Sequence, residues 1–125
     1  MGPYKIEYGV LYVKQLMDNL KSKYHTAEIT KPERQLLKKL VKCFGHLERD
    51  PRHSGLNSHE ISELTQKYGE RIWQSYLENN TPAAGRVFWV YGPGKMQITI
   101  VGIEPHPKKG AYDRVKLDLA PQQKK

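Results

Sequence analysis

The sequence predicts an α+β domain in which helices pack on one face of a twisted antiparallel β-sheet of about four strands. Three observations support this fold class. A short alternating segment opens the chain, two amphipathic helical segments follow it, and two apolar runs flank a Pro-Gly turn in the C-terminal half. The chain has 125 residues, which is the size of one domain. We therefore expect a single domain over residues 1–125, with residues 120–125 as a frayed tail.

The N-terminal segment carries the signals for one strand and a first helix. Residues 4–8 alternate weakly between polar and apolar side chains, which is typical of a short strand. Over residues 11–25 apolar side chains recur at intervals of three and four, which predicts a helix. The apolar stripe of this helix consists of Val13, Leu16, Met17, Leu20 and Tyr24.

A capping-box pattern begins the second predicted helix. Thr30 is followed by Glu33, and Pro32 lies in the first turn. The helix is expected to end at Asp50, because a residue before proline is disfavoured in the helical conformation. Its apolar stripe consists of Leu36, Leu37, Leu40, Val41, Phe44 and Leu47. Cys43 lies among these residues and is expected to be a small core residue in a reducing compartment.

Shorter elements follow the second helix. Asn57 or Ser58 can cap a short helix that ends at Gly69. Residues 71–78 alternate and predict a strand, and residues 79–84 have the composition of a loop.

The predicted hairpin consists of residues 85–91 and 96–106, which flank Pro93 and Gly94, with Arg86 at its entry and His106 at its exit. A tight turn places Gly92 opposite Lys95, and this register assigns a face to every side chain. The core face then carries Val87, Trp89, Tyr91, Met96, Ile98 and Ile100. The other face, expected to be a half-exposed working surface, carries Arg86, Phe88, Gln97, Thr99 and Val101. Strand parity favours a core position for both tryptophans, Trp73 and Trp89.

The net charge is strongly positive. Lys plus Arg number 21 and Asp plus Glu number 13, which gives +8. Such a charge serves solubility alone or attracts a polyanionic partner, either nucleic acid or an acidic protein segment. A basic row on the second helix is either its solvated face or an anion-binding surface, and it consists of Lys31, Arg34, Lys38, Lys42 and Arg49.

Several classes of function lack support. No apolar stretch approaches the roughly 20 residues that span a bilayer, so we expect a cytoplasmic protein without membrane contact. One cysteine and five scattered histidines show no metal-ligand spacing, so no metal or other cofactor is expected.

The order of strand, two helices and antiparallel sheet, in a basic chain with Arg86 at the start of a strand, resembles the RelE/ParE superfamily of bacterial toxins. The resemblance is strongest over residues 85–112, and residues 69–73 also resemble the strand that precedes the family's arginine. It implies a RelE/ParE-like domain and a metal-independent endoribonuclease toxin of a type II toxin-antitoxin system. The implied partners are messenger RNA, the ribosome and a cognate antitoxin.

The resemblance also implies roles for single residues. In the ribosome-dependent ribonucleases of the superfamily, the arginine at the position of Arg86 binds the scissile phosphate. His106 lies where these proteins place a basic residue or a histidine, and Tyr112 matches a tyrosine near their C-terminal end. Glu63 would be the base, with Glu60 as the alternative match. In such an enzyme the RNA 2′-hydroxyl attacks the phosphate, so histidine suits the proton transfers and arginine the added negative charge.

The sequence departs from the superfamily pattern on the strand before Arg86. RelE-like members carry lysines there, whereas this chain has Gln74, Ser75, Tyr76 and Leu77. Cations that could compensate are Arg71, Lys108 and Lys109. Two alternatives therefore stay open. One is a catalytically inactive module that binds RNA or a protein through Lys31, Arg34, Lys38 and Lys42, and the other is a ParE-like inhibitor of DNA gyrase.

Overall fold

The computed structural model describes residues 3–9, 11–78 and 85–104. Strands alternate with helices in the first part of the chain and dominate the last. In order, the elements are β1 (Lys5–Tyr8), α1 (Leu11–His25), α2 (Lys31–Arg49), a 3-10 turn (Ser54–Leu56), β2 (His59–Glu60), α3 (Ser62–Tyr68), β3 (Trp73–Tyr76), β4 (Arg86–Tyr91) and β5 (Gln97–Glu104). The predicted α+β class is confirmed. Among these described helices, none is both long and apolar enough to cross a bilayer.

The sheet has five strands in the order β1-β5-β4-β3-β2, and β1 pairs with β5 in parallel while the other pairs are antiparallel. The prediction of about four antiparallel strands is therefore wrong in two respects. A parallel pair needs a long crossover, which the elements between β1 and β5 provide. The additional strand, β2, has only two residues and pairs with Gln74 and Trp73.

The second helix begins as predicted. The Thr30 hydroxyl accepts a hydrogen bond from the Glu33 N–H at 3.2 Å, and the Glu33 carboxylate accepts one from the Thr30 N–H at 3.0 Å. The third helix does not begin where it was predicted to begin, since its N-cap is Ile61 rather than Asn57 or Ser58.

The helical stripes are buried except at their margins. Val13, Met17 and Leu20 of α1 are buried, but Tyr24 is 56% exposed because it lies in the last turn of the helix. In α2, Val41 is 55% exposed, and Cys43 is buried at the flank of the stripe instead.

The hairpin register differs from the prediction by two residues next to the turn. Gly92 N–H donates to the Gln97 carbonyl at 2.8 Å, so residues 93–96 form the loop and Tyr91 pairs with Ile98. A register shift of two residues leaves each side chain on its predicted face of the sheet. An irregularity between Phe88 and Trp89 shifts the pairing by one further residue on the side away from the turn.

Two faces of the sheet can be distinguished, because directly paired residues share a face. Tyr8 pairs with Ile100, which pairs with Trp89, and the Tyr8 ring packs 5.9 Å from the Phe44 ring of α2. We call this side the helix face. The opposite side is the Arg86 face, which carries His59, Gln74, Tyr76, Arg86 and Phe88.

The core extends to both faces at the centre of the sheet. On the helix face Trp89 is 0% exposed, and both tryptophans are buried, as predicted. Phe88 on the Arg86 face is 0% exposed, and Val101, which the prediction placed on the same face, is 1% exposed, so the prediction of a half-exposed surface is wrong for these two residues.

Candidate functional site

The candidate site is centred on Arg86, the first residue of β4. Arg86 pairs with Tyr76 on one side and with Glu104 on the other. Its guanidinium lies 5.5 Å from the centre of the Tyr76 ring. A cation over an aromatic face is attracted by the ring quadrupole, so this contact holds the half-buried guanidinium in one place.

His59 lies on the same face, two strands away. It pairs with Gln74, and its ring centre is 6.1 Å from that of Tyr76. His59 Nδ1 is 3.0 Å from the Asn57 carbonyl oxygen, which only accepts, so Nδ1 carries the proton. His59 Nε2 is 3.5 Å from the Gln74 amide nitrogen and accepts from it in a long contact. Nδ1 is therefore the donating nitrogen, and Nε2 is the ring nitrogen that lies next to Gln74 on the Arg86 face.

A chain of buried hydrogen bonds fixes the segment that precedes His59. Trp89 Nε1–H donates to the Ser75 hydroxyl at 2.8 Å, and the hydroxyl groups of Ser75 and Ser58 are 2.7 Å apart. Ser58 donates to the Pro51 carbonyl at 2.7 Å, so Ser58 must accept from Ser75. Because this chain ties residues 51–58 to β3 and β4, it sets the position of His59.

A carboxylate with a lowered pKa lies at the end of β3, next to this cluster. The Lys39 ammonium group is 2.9 Å from Glu78 and is the main cause of the lowered pKa, and the Gly85 N–H contributes as a further donor. Glu78 thus remains ionised and paired near the site.

The structure separates several of the predicted site residues. Glu63 is exposed in the first turn of α3. Glu60 follows His59 in β2 and so points to the other side of the sheet, where its carboxylate binds Arg71 at 3.2 Å. Arg71, which was predicted to compensate for the missing strand lysines, has this carboxylate as a partner and lies 5.8 Å from the Trp73 ring. His106, Lys108, Lys109 and Tyr112 lie outside the described residues.

The predicted basic row is exposed along α2. Lys31, Arg34, Lys38 and Lys42 all lie on the solvent side of this helix. Because α2 packs on the helix face, the basic row lies on the other side of the sheet from Arg86, except that Lys42 lines a cavity that Tyr76 also lines.

Two members of the cluster, His59 and Tyr76, were missed as functional residues from the sequence. The alternation of residues 71–78 places Gln74 and Tyr76 on one face, which was a usable signal for Tyr76. A two-residue strand is too short to produce a periodic pattern, so nothing in the sequence indicated that His59 would join this face.

Comparisons with known proteins give no relative: no family model, no curated protein and no solved structure matches this chain. Within the described ranges, no three His, Cys, Asp or Glu side chains are grouped so that they could hold a metal ion. The described residues offer an oriented arginine for an anion, an aromatic ring and an imidazole whose Nε2 can accept a proton.

Proposed function

We propose that this protein is an RNA-cleaving toxin of the RelE/ParE kind, a metal-independent endoribonuclease that cuts messenger RNA on the ribosome and is restrained by a cognate antitoxin. The observation that carries the proposal is the grouping of Arg86, Tyr76 and His59 on one face of the sheet. These groups match what RNA cleavage by its own 2′-hydroxyl requires.

Each residue has a defined part in this chemistry. Arg86 binds the scissile phosphate and stabilises the negative charge that grows on it as the 2′-oxygen attacks. His59 Nε2 accepts the 2′-hydroxyl proton in place of its long contact with Gln74, since Nδ1 donates to the Asn57 carbonyl. The Tyr76 ring provides a surface for a nucleobase between them. His106, by resemblance, donates a proton to the leaving 5′-oxygen. His59 takes the role of base that the resemblance gives to Glu63, because Glu63 is exposed on α3.

The topology also supports the proposal. The resemblance implies a strand, two helices and a sheet of antiparallel strands, and β1, α1, α2 and the hairpin of β4 and β5 occur in that order. The net charge of +8 suits a nucleic-acid partner.

A non-catalytic RNA-binding module is the second candidate. Two observations favour it: β3 carries the uncharged Gln74, Ser75 and Tyr76, and Arg71 is paired with Glu60. Arg86 is therefore the cation that the described cluster offers to RNA. In this case the basic row of α2 would carry the binding.

Induced expression in bacteria separates these functions. The wild type should arrest growth and shorten messenger RNA. Arg86→Ala and His106→Ala should abolish both effects, and Arg86→Lys should restore little, because a lysine keeps the charge but not the planar pair of donors. His59→Asn is the matched test of the base, since its amide can still donate to Asn57 while the basic Nε2 is lost. Each variant is accepted only if its circular dichroism and Tm match the wild type.

The other outcomes would reject the proposal. Intact messenger RNA with altered plasmid supercoiling indicates gyrase inhibition. Harmless expression with RNA binding that weakens steeply with salt indicates the non-catalytic module.

A further inference from the structure

A cavity lies where the edge of the sheet meets α2. Its volume is about 380 Å³, and α2, the turn after it and the end of β3 all contribute to its walls. The polar side chains among its lining residues are Lys42, His46, His53, Asn57, Tyr76 and Glu78. Tyr76 also contacts Arg86, and Lys42 belongs to the basic row of α2. The cavity therefore joins the two surfaces that the sheet keeps apart.

Two histidines stack in its wall. The rings of His46 and His53 are 4.3 Å apart at an angle of 19°. His53 Nδ1 accepts from the Gly55 N–H at 3.0 Å, and His46 Nδ1 accepts from the Arg49 guanidinium at 3.5 Å. Because both Nδ1 atoms accept, both protons lie on Nε2, and both rings are neutral in this arrangement. Neither Nε2 has a hydrogen-bond partner within residues 3–9, 11–78 and 85–104, so two N–H donors remain.

The surroundings of the histidine pair are cationic. Lys42 and Arg49 lie on the same helix as His46, and together with burial and His53 they lower the pKa of His46, burial being the largest cause. Glu78 is the carboxylate in the wall, and it is already paired with Lys39 at 2.9 Å. The Asp50 carboxylate, at the C-terminal end of α2, accepts from the Arg52 N–H at 3.0 Å. An anion would satisfy the two Nε2–H donors and offset the positive charge.

We propose that this cavity binds a backbone phosphate of single-stranded RNA, at a position that flanks the phosphate held by Arg86. This inference rests on the proposed function, because it requires that the RNA strand bound at Arg86 also reaches the cavity. From Arg86 the strand passes Tyr76, places its next phosphate against Lys42 and the histidine pair, and continues along the basic row of α2.

The site has a built-in pH dependence. Protonating His46 on Nδ1 costs its contact with Arg49, and protonating His53 on Nδ1 costs the bond from the Gly55 N–H. A bound phosphate offsets these losses, because a hydrogen bond from an imidazolium to an anion is about twice as strong as one from a neutral ring. Affinity should therefore rise by about fivefold as the pH falls from 8 to 6. Two adjacent imidazolium ions repel, so one proton per bound phosphate is expected.

The test uses a short 2′-deoxy oligonucleotide, which lacks the attacking hydroxyl and reports binding without cleavage. Histidine Cε1–H resonances are followed by NMR during titration at pH 6, 7 and 8. The resonances of His46 and His53 should shift together, and binding should strengthen at the lower pH.

Matched variants locate the effect. His46→Asn with His53→Asn keeps an acceptor in place of each Nδ1 but removes both Nε2–H donors, and its affinity should lose the pH dependence. Lys42→Gln should weaken binding by about fivefold, whereas Lys21→Gln, an equal loss of charge on the exposed surface of α1, should change it by less than about twofold.

The result that overturns the inference is a pair of histidine resonances that do not respond to the oligonucleotide, or equal effects of Lys42→Gln and Lys21→Gln. Because the probe cannot be cleaved, a protein without ribonuclease activity can still confirm the phosphate site. Conversely, an active ribonuclease can fail this test.

Discussion

Replacing Ser75 by alanine tests the buried hydrogen-bond chain that places His59. Ser75 is 0% exposed, accepts from Trp89 Nε1–H at 2.8 Å and donates to Ser58 at 2.7 Å. Alanine fills almost the same volume, so the change removes polar contacts without opening a large cavity. The Trp89 N–H loses its acceptor in a fully buried position, which costs about 1–3 kcal/mol, and the half-buried Ser58 loses one bond worth about 0.5–1 kcal/mol.

The expected destabilisation is about 2–3 kcal/mol, which corresponds to a fall in Tm of about 8–12 °C for a domain of this size. Urea titration, monitored by tryptophan fluorescence, measures this loss of stability. An unchanged dependence of the unfolding free energy on urea concentration would show that the unfolded state is unaffected. Ser22→Ala, at an exposed position of α1, is the control and should change stability by less than about 0.5 kcal/mol. A Ser75→Ala variant as stable as this control would refute the hydrogen-bond chain.

Three further predictions concern α2 and its thiol. Lys23 and the Thr30 cap lower the pKa of Glu33 from 4.5 to about 2, so the stabilising effect of this carboxylate is present above about pH 4.5 and is lost as the pH falls through about 2. Thermal unfolding should show that Glu33→Gln is less stable than the wild type at pH 7 and equal to it near pH 2. A stability difference that does not change with pH would contradict this prediction. Thr30→Ala should cost about 1 kcal/mol in urea titration, well above the effect of Thr26→Ala at the end of α1. Burial raises the pKa of the Cys43 thiol to about 12, so a disulfide reagent at pH 8 should react only as fast as the protein unfolds, and immediate reaction of the native protein would contradict the buried position.

The elements with strong local signals were predictable from the sequence. The cap of α2 at Thr30 depends on residues within one turn, and the structure reproduces it. The burial of Trp73 and Trp89 followed from strand parity, which survives a register shift of two residues.

The features that failed depend on contacts between distant segments. The hairpin register depends on whether Gly92 closes on Lys95 or on Gln97, and the sequence pattern fits both loops. Ser58 has the chemistry of a helix cap, but its hydroxyl binds Ser75 across the sheet. The pairing of β1 with β5 likewise depends on tertiary packing that no local pattern encodes.

The residues of the candidate site likewise include one that was predictable from the sequence and one that was not. Arg86 was identified from its position at the start of a strand, and the structure gives it an aromatic neighbour on the same face. His59 reaches this face only because β2 pairs with β3, and that pairing has no periodicity of its own.

We propose that the face carrying Arg86, Tyr76 and His59 cleaves RNA by activating its 2′-hydroxyl. The most direct measurement incubates purified protein with ribosomes programmed with a defined messenger RNA and identifies the chemical ends of the products. We predict fragments that end in a 2′,3′-cyclic phosphate and a 5′-hydroxyl, with none from Arg86→Ala or from a message carrying one 2′-deoxy nucleotide at the cleavage position. Cleavage that persists in either case, or an intact message with the wild-type protein, would show that this face does not cleave RNA in this way.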